Sequence, residues 1–455
     1  MTALAVPLLI PWAAGALLLL ADGRRRAVGW LAVAALAATM AALIVLATGT
    51  GTREMVIGGW PAGAGIVLRA DALGILFALL SVLVVLAAVA HETTVGVHGR
   101  TFPGLAVLLS AGLTGLFLTG DVFNFYVCFE ISMTAAYVLA TYGDERRELS
   151  AALVFAAVNL LGSFVFLLSI AGVYRVTGTL AMAGVAERMA GVEPNAAVLI
   201  AIGFFIAFGV KVGLFPFHFW LPTVYAGTRP AVVAILSGAL ANIGAYGVLR
   251  FGAELLPQEL RLGSVVLIFI GAASILYGGV LAVSRRDAAE MLAYSSIGQV
   301  GYVLIAVGVG GPVGLAAAVL YAAVNSLNKA LLFLTAGLRG ALVAGAFVIG
   351  ALSVAGVPPA AGFLGKLALI RTGIDAGSPA LVALLVAGSA LSFVYLFQVY
   401  QHDFWQGERG GEPSPLAARL IVGALALLVL AAGLWPEPLL ALSRDAAAVL
   451  PGGRG

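Results

Sequence analysis

Residues 208–222 read Phe208-Gly-Val-Lys211-Val-Gly-Leu-Phe-Pro216-Phe-His218-Phe-Trp-Leu-Pro222, an apolar run that contains a single lysine. A helix through this run is interrupted at Pro216, because proline has no backbone N–H to donate to the preceding turn. Inside a protein, a broken membrane helix frees carbonyls that can hold ions or water. The stretch therefore predicts a broken membrane helix with Lys211 beside the break. A proline that only kinks a packing helix is the alternative.

The composition around this stretch is that of a membrane protein. Hydrophobic residues make up 62% of the chain and charged residues only 10%, whereas soluble domains carry about 25% charged residues. The apolar runs are continuous and do not alternate with period two, so they predict helices and not strands. We predict an all-α polytopic membrane protein with about fourteen transmembrane helices. The predicted spans are 3–20, 28–48, 71–90, 103–119, 122–141, 150–173, 196–219, 230–251, 264–283, 291–309, 313–337, 344–371, 380–400 and 417–440.

Arginines in the loops give a weak indication of orientation. Residues Arg24 to Arg26 follow the first apolar run, which argues against a cleavable signal peptide and for an N-terminus outside. Eleven loop arginines then lie on the predicted cytoplasmic side and nine on the other side. That count places Arg409 inside and Arg69, Arg250 and Arg454 outside.

Several site classes do not fit the sequence. One cysteine, Cys128, cannot form an internal disulfide, and the four dispersed histidines form no metal-ligand pattern. Phosphate-cradling loops, nucleophile triads and dinucleotide fingerprints are also missing from the sequence. We therefore expect no metal, no cofactor and no nucleic-acid partner, and an integral-membrane enzyme is the least expected class.

Lysine is rare and confined to apolar surroundings. Of 24 basic residues only Lys211, Lys329 and Lys366 are lysines, and each lies within an apolar stretch. Arginine stays protonated, whereas a buried lysine can lose its proton near neutral pH. We interpret the three lysines as functional groups that need to titrate. A genome that favours arginine codons explains why lysine is rare, but it does not explain the shared burial.

A carboxylate is also predicted inside the membrane. Glu130 lies nine residues after Asp121, which resembles a helix cap, and this places Glu130 about 13 Å along the helix axis. Such a charge is usually functional or paired. The polar residues that share its helix face are Tyr126, Thr134, Tyr137 and Thr141. This stripe favours a hydrated path, and a purely structural ion pair is the alternative.

Other polar residues recur at helical spacing. Tyr321, Asn325 and Lys329 share one face of the eleventh helix, and Ser295 and Gln299 share one face of the tenth. These residues could wall a water-filled path or act as interhelical hydrogen-bond partners, and for Ser295 alone the second interpretation is preferred. A further helix break is predicted at Pro358 and Pro359, just before Lys366. His218 fits either a proton gate or an interfacial histidine.

At these residues the chain resembles the antiporter-like subunit family shared by respiratory complex I and Mrp-type cation/proton antiporters. The resemblance covers roughly residues 100 to 400. It rests on five ordered stretches, Phe117–Glu130, Lys211–Pro222, Leu292–Tyr302, Lys329–Phe333 and Pro358–Lys366. The form Gly-Asp-x-Phe-Asn-x-Tyr-Val-x-Phe-Glu looks most like D subunits of Mrp antiporters. A complex I or membrane-bound hydrogenase subunit is the near alternative.

The resemblance implies a particular architecture. Helices four to eight and nine to thirteen would form two inverted five-helix repeats, with helices 7 and 12 broken. We expect one membrane domain over residues 1–455, without a long lateral C-terminal helix. Its expected parts are three N-terminal helices in 1–100, a first unit in 103–252, a second unit in 264–402, and a last helix and tail in 415–455.

The resemblance also implies roles for residues. Glu130 and Lys211 would form an ion pair, Lys329 would be the central relay, and Lys366 would be the exit-side group. Two positions depart from the family pattern, because Asn242, four residues before Tyr246, and Asn325 stand where lysine and histidine are common. Asparagine can hold a water but carries no proton charge. A relay from Lys211 to Lys329 would therefore run through water or be weakened.

The implied function is proton translocation within a multisubunit monovalent cation/proton antiporter of the cell membrane. Other membrane subunits, protons, and Na+ or K+ would be its partners within the lipid bilayer. The alternatives are a proton-pumping subunit of complex I or of a membrane-bound hydrogenase, a non-conducting scaffold subunit, and a stand-alone transporter.

Overall fold

The structure is a computed structural model that describes residues 2–49, 51–60, 65–143, 146–405 and 414–453. Arg409 and Arg454, which entered the arginine count, lie outside the described residues. The helices and strands, in chain order, are α1 (Thr2–Leu20), α2 (Arg26–Ala47), β1 (Arg53–Val56), β2 (Val67–Ala70), α3 (Ala72–Val95), α4 (Phe102–Phe117), α5 (Val122–Ala140), α6 (Arg146–Thr177), α7 (Met182–Met189), α8 (Pro194–Val212), α9 (Trp220–Gly227), α10 (Pro230–Leu255), α11 (Pro257–Leu262), α12 (Ser264–Val283), α13 (Ala288–Val309), α14 (Gly311–Thr335), α15 (Ala341–Ala355), α16 (Ala361–Asp375), α17 (Pro379–Trp405), α18 (Leu416–Leu434) and α19 (Glu437–Ala448).

The predicted polytopic helical fold is confirmed. Within the described residues, twelve helices are long and apolar enough to cross a membrane, and the shorter apolar helices α4 and α15 complete fourteen crossings. Each crossing coincides with one of the spans predicted from the sequence. We call the face on which α1 begins the N-terminal face, and the other the opposite face.

Two five-crossing units follow the three N-terminal helices. The first comprises α4, α5, α6, the pair α8–α9 and α10, and the second comprises α12, α13, α14, the pair α15–α16 and α17. Because five is odd, the second unit begins on the face opposite to that on which the first begins, so the two units are inverted. The fourth crossing of each unit is interrupted, at residues 213–219 and 356–360, as predicted from the prolines.

Glycine ends the first half of both broken crossings. Gly213 closes α8 with φ +64°, and Gly356 closes α15 with φ +77°, a left-handed conformation that glycine adopts without steric cost. A Cβ at Gly213 would lie 2.5 Å from a methyl of Leu221, and one at Gly356 would lie 2.6 Å from Lys366. Both breaks therefore need glycine for the turn and for close packing.

The polar side chains lie in the most enclosed helices. Over an 18-residue stretch long enough to cross a membrane, 89% or more of the residues are buried inside the protein in α10, α13 and α14. In α1 the corresponding share is 28%. These central helices carry Asn242, Gln299 and Lys329. The polar residues are therefore surrounded by protein, which is the arrangement that makes them tolerable at membrane depth.

The sequence did not predict the β-hairpin on the N-terminal face. Strands β1 and β2 pair antiparallel, from Arg53 opposite Ala70 to Val56 opposite Val67. The backbone N–H of Arg69 donates to the carbonyl of Leu118 at 2.8 Å, which joins the hairpin to the end of α4. Four-residue strands are too short to give a clear period-two pattern.

Candidate functional site

Lys211 occupies the last turn of α8, immediately before the helix break. Its Nζ donates to the Asn159 carbonyl and to Ser163 Oγ, each at 2.9 Å, and both partners belong to α6. The ammonium also lies 4.3 Å from the centre of the Phe129 ring. Only 8% of the residue is exposed. Neutral groups therefore surround this predicted relay residue.

The break beside Lys211 is held by specific hydrogen bonds. Trp220 Nε1 donates to the Val210 carbonyl at 2.9 Å, and this satisfies an acceptor near the end of α8. The backbone N–H of Phe215 donates to Ser274 Oγ of α12 at 3.2 Å, so the break contacts the second unit. His218 packs on Tyr277 with ring centres 4.3 Å apart. Both interpretations of His218, a proton gate or an interfacial histidine, therefore stay predictions.

Glu130 does not form the ion pair that the family resemblance implied. In the described part of the chain, its carboxylate is not within 4.0 Å of Lys211, and its Oε1 has no hydrogen-bond partner. Glu130 is half-buried and Thr134 on the same stripe is exposed. The polar stripe of α5 is therefore partly exposed at the surface of this chain.

One small cavity lies within the first unit and a second lies between the two units, and Ala241 lines both. The first, of about 10 Å³, is lined by Asn159 and Lys211. The second, of about 30 Å³, has Asn242, Asn325 and Lys329 in its wall. A buried water needs a cavity volume of roughly 10–15 Å³. The second cavity therefore has room for a water next to Lys329.

Polar atoms in these walls are available to such a water. Asn159 Oδ1, beside Lys211, and Ser237 Oγ, beside Lys329, are buried and have no hydrogen-bond partner within the described ranges. Buried polar atoms without a protein partner are usually satisfied by ordered water. Both cavities thus combine a lysine with an unsatisfied acceptor.

Asn242 is fixed by three helices. Its Nδ2 lies 3.3 Å from Ser81 Oγ of α3, 3.0 Å from the Gly238 carbonyl of α10, and 3.2 Å from Ser326 Oγ of α14. Gly238 belongs to one of the π-helical segments of α10, Ile235–Leu240. The amide that replaces the lysine common in the family therefore positions a wall of the larger cavity.

Lys366, near the start of α16, sits among aromatic rings. Its Nζ lies 3.4 Å from the centre of the Tyr302 ring and 5.6 Å from that of Tyr321. No hydrogen-bond partner for this Nζ occurs in the described residues. The face of an aromatic ring attracts a cation, so the two tyrosines can stabilise the ammonium.

The predicted polar residues of α13 and α14 form one network in the second unit. Tyr321 Oη donates to Gln299, and Gln299 Nε2 donates to Tyr395 Oη at 3.1 Å. Ser295 Oγ lies 2.8 Å from the same tyrosine oxygen. Tyr395 was not predicted from the sequence, although Ser392, three residues before it on α17, was a signal at helical spacing and also contacts Gln299. The network joins the aromatic surroundings of Lys366 to the interior of the second unit.

None of the three lysines has a carboxylate within 4.0 Å in the part of the chain that the structure describes. In the same residues, no group of three or more His, Cys, Asp or Glu could hold a metal ion. The arrangement is a series of amines in apolar surroundings, separated by hydroxyls, amides and water-sized space. Such a series can accept and release protons.

Tyr246 lies elsewhere than expected. Its hydroxyl donates to the Phe117 carbonyl at 3.2 Å and accepts from Arg250 Nε at 3.0 Å, away from the lysine cavities. Arg250, counted from sequence among the loop arginines, is only 1% exposed and pairs with Asp71 at 2.7 Å and Glu254 at 2.6 Å. The spacing of four from Asn242 through Tyr246, Arg250 and Glu254 was the signal that could have revealed this cluster.

Asp71 precedes α3 and caps it by accepting from the Gly74 N–H at 2.9 Å. Burial opposes ionisation of this carboxyl, but Arg250 and Arg69, with the Gly74 hydrogen bond, outweigh burial and hold the pKa of Asp71 below its usual value.

On the opposite face, burial and then the nearby Glu92 charge raise the pKa of Tyr142. Tyr142 Oη donates to Glu92 at 2.7 Å.

Comparisons of sequence and of structure with known proteins identify relatives of the same kind. The family described as NADH:quinone oxidoreductase/Mrp antiporter, TM, matches residues 119–341. The chain is 30% identical over 447 residues to the D subunit of the Na(+)/H(+) antiporter of Alkalihalophilus pseudofirmus, covering 93% of this chain and 90% of that protein. It is 34% identical over 453 residues to the N subunit of the NADH-quinone oxidoreductase of Desulforudis audaxviator, covering 91% and 89%. A chain of the Mrp complex from Dietzia sp. DQ12-45-1b is similar with a TM-score of 0.91, 27% identity, and coverage of 99% and 98%.

Proposed function

The chain belongs to the NADH:quinone oxidoreductase/Mrp antiporter family of membrane subunits, and on this basis we propose that it translocates protons within a multisubunit monovalent cation/proton antiporter. The observation that carries the proposal is the series of three buried lysines without contacting carboxylates in the described residues, two of which border cavities that share Ala241. Other membrane subunits would be its partners, with Na+ or K+ as the exchanged cation. The chain would lie in the cell membrane with its N-terminus outside.

The lysines act as successive proton carriers in this proposal. A buried ammonium without a counter-ion is costly to keep charged, so a proton that reaches one amine is passed on when an acceptor is available. Lys211 would load from the opposite face, Lys329 would receive through the cavity beside Asn242, and Lys366 would release. The Tyr302 ring and its neighbours would hold the last ammonium briefly.

Glu130 would control the first step. In the structure its carboxylate stands away from Lys211, whose ammonium is held by the Asn159 carbonyl and Ser163. If the carboxylate approaches, it stabilises the charged amine, and if it withdraws, the proton leaves toward Lys329. Because Glu130 is only half-buried in this chain, a neighbouring subunit can contact it and set its position.

Transport in the assembled complex tests this proposal. In inverted membrane vesicles that contain all subunits, addition of Na+ or K+ should collapse a preformed pH gradient, followed with a pH-sensitive dye. We expect Lys211→Ala and Glu130→Ala each to abolish this response. Thr134→Ala, on the exposed side of the same α5 stripe, is the matched control and should behave like the unsubstituted protein. Unchanged exchange by Lys211→Ala would instead identify a non-conducting scaffold.

A redox-driven pump is the second candidate, because the chain is also 34% identical to the N subunit of an NADH-quinone oxidoreductase. Purification under mild conditions distinguishes the redox-driven pump from the antiporter. Co-purification with redox-active subunits and proton uptake driven by NADH would favour the pump. Co-purification with other membrane subunits alone, with cation-driven proton exchange, would favour the antiporter, and a chain that purifies alone and exchanges ions would be a stand-alone transporter.

A further inference from the structure

A polar stripe in α10 continues from the lysine cavities to the N-terminal face. Asn242, Tyr246, Arg250 and Glu254 are spaced four apart, and all four are buried. Asn242 lines the cavity that holds Lys329. At the other end, the side chain of Arg69, which pairs with Glu254, is 14% exposed. The stripe is therefore a polar connection from the first unit toward the N-terminal face.

Arg250 lies across this stripe and is held from three sides. Its Nε donates to Tyr246, its Nη1 to Glu254 Oε2 at 2.6 Å, and its Nη2 to Asp71 Oδ1 at 2.7 Å. The three partners come from the middle of α10, the end of α10, and the residue before α3. A planar guanidinium bound through all three nitrogens is fixed in place.

A second arginine closes the cluster from outside. Arg69 of β2 lies 3.0 Å from Asp71 Oδ2 and also pairs with Glu254. Two guanidinium groups and two carboxylates thus share the site, so its formal charge is zero. The hairpin brings Arg69 next to the start of α3 and the end of α10. The cluster therefore lies where the first unit reaches the N-terminal face.

We propose that Arg250 is a cation barrier that separates the lysine cavities from the N-terminal face. A guanidinium does not release its proton at accessible pH, so it cannot relay protons along the stripe. Because Tyr246, Glu254 and Asp71 hold all three of its nitrogens, the guanidinium also stays in place across the stripe. Protons on Lys329 are therefore directed to Lys366 and do not escape along the α10 stripe to the N-terminal face. This inference rests on the proposed function for the presence of protons in the cavities.

Passive proton leak through the assembled complex tests the barrier without requiring antiport. The purified complex is placed in vesicles with trapped pyranine, in buffer free of Na+ and K+, with tetraphenylphosphonium to dissipate the potential. After an acid pulse, the rate of internal acidification is recorded. Antiport is measured separately on the same preparations, so failure of the proposed function is seen independently of the leak.

Two charge-balanced double variants form the matched comparison. The first, Arg250→Gln with Asp71→Asn, removes the barrier and one counter-ion together, and should raise the leak about tenfold or more because amides that can hydrogen-bond water replace a guanidinium that keeps its proton. The second, Arg69→Gln with Glu254→Gln, removes an equal number of charges but leaves the Arg250–Asp71 pair, and should stay as tight as the unsubstituted complex. Addition of Lys211→Ala to the first variant should suppress its leak.

The outcomes distinguish a barrier from a structural clamp. No leak in the first variant overturns the proposal, and so does an equal leak in both double variants. If the first variant does not assemble, Arg250→Lys keeps a positive charge at the position and should remain tight. A strong leak through an assembled Arg250→Lys complex overturns the claim that a cation held by Asp71 and Glu254 closes the stripe.

Discussion

Replacing Asn242 by leucine probes the step between the two units. The amide contacts Ser81, Gly238 and Ser326, and its two hydrogens can satisfy about two of these three acceptors at once. Losing about two neutral hydrogen bonds costs roughly 1–3 kcal/mol of folding free energy, which a well-packed leucine partly offsets. We therefore expect Asn242→Leu to assemble, with a modestly lower melting temperature in detergent.

The effect on transport should be larger than the effect on folding. The cavity of about 30 Å³ beside Lys329 loses one of its polar walls, and a buried water needs two to four polar partners. Loss of one hydrogen bond to a bridging water, about 1.4 kcal/mol, slows a step through that water about tenfold. Cation-driven proton exchange by Asn242→Leu should fall by about that factor.

Ser81→Ala is the control for this substitution. It removes one partner of the Asn242 amide, at 3.3 Å, but leaves the cavity wall itself in place. Exchange by the Ser81→Ala complex should stay within about twofold of the unsubstituted rate. Full exchange activity in an assembled Asn242→Leu complex would refute a proton path through this cavity.

Two further substitutions test the helix break and the ion cluster. Trp220→Phe removes the hydrogen bond to the Val210 carbonyl but keeps an aromatic ring, so we expect about 1 kcal/mol of destabilisation and a severalfold slower exchange; unchanged exchange would show that the break needs no such anchor. Asp71→Asn removes one partner of buried Arg250 and should cost about 3 kcal/mol, measured as a lower melting temperature. Because the pKa of Asp71 is lowered in the folded protein, its stabilisation is present above the unfolded-state pKa of about 3.9 and is lost as pH falls through the folded value. The difference in melting temperature from Asp71→Asn should therefore persist from pH 8 to about pH 5, and its disappearance by pH 6 would contradict the assignment.

The membrane crossings could be predicted from the sequence because the length of an apolar run is a local property. The breaks were also local, since Pro216 and the pair Pro358–Pro359 mark them directly. The burial of Lys211, Lys329 and Lys366 followed from their apolar neighbours, and the structure confirms it. Their roles as proton carriers stay predictions.

The partners of these residues could not be predicted, because they come from distant parts of the chain. Lys211 binds residues 52 and 48 positions earlier, and Asn159 and Ser163 are typical of packing residues in an apolar helix. Arg250 pairs with Asp71 across 179 positions. Arg250 falls at the predicted end of a span, where an arginine is usually solvated, and only the tertiary fold shows that it is buried.

Replacing Lys211 by arginine tests the central claim most directly, because it keeps a positive charge at residue 211 but removes the ability to release a proton. The measurement is cation-driven proton exchange in vesicles that contain the assembled complex, compared with the unsubstituted complex at equal protein content. We expect no exchange above that of vesicles without the complex. Exchange by Lys211→Arg at the unsubstituted rate would contradict the claim that a titrating amine carries the proton.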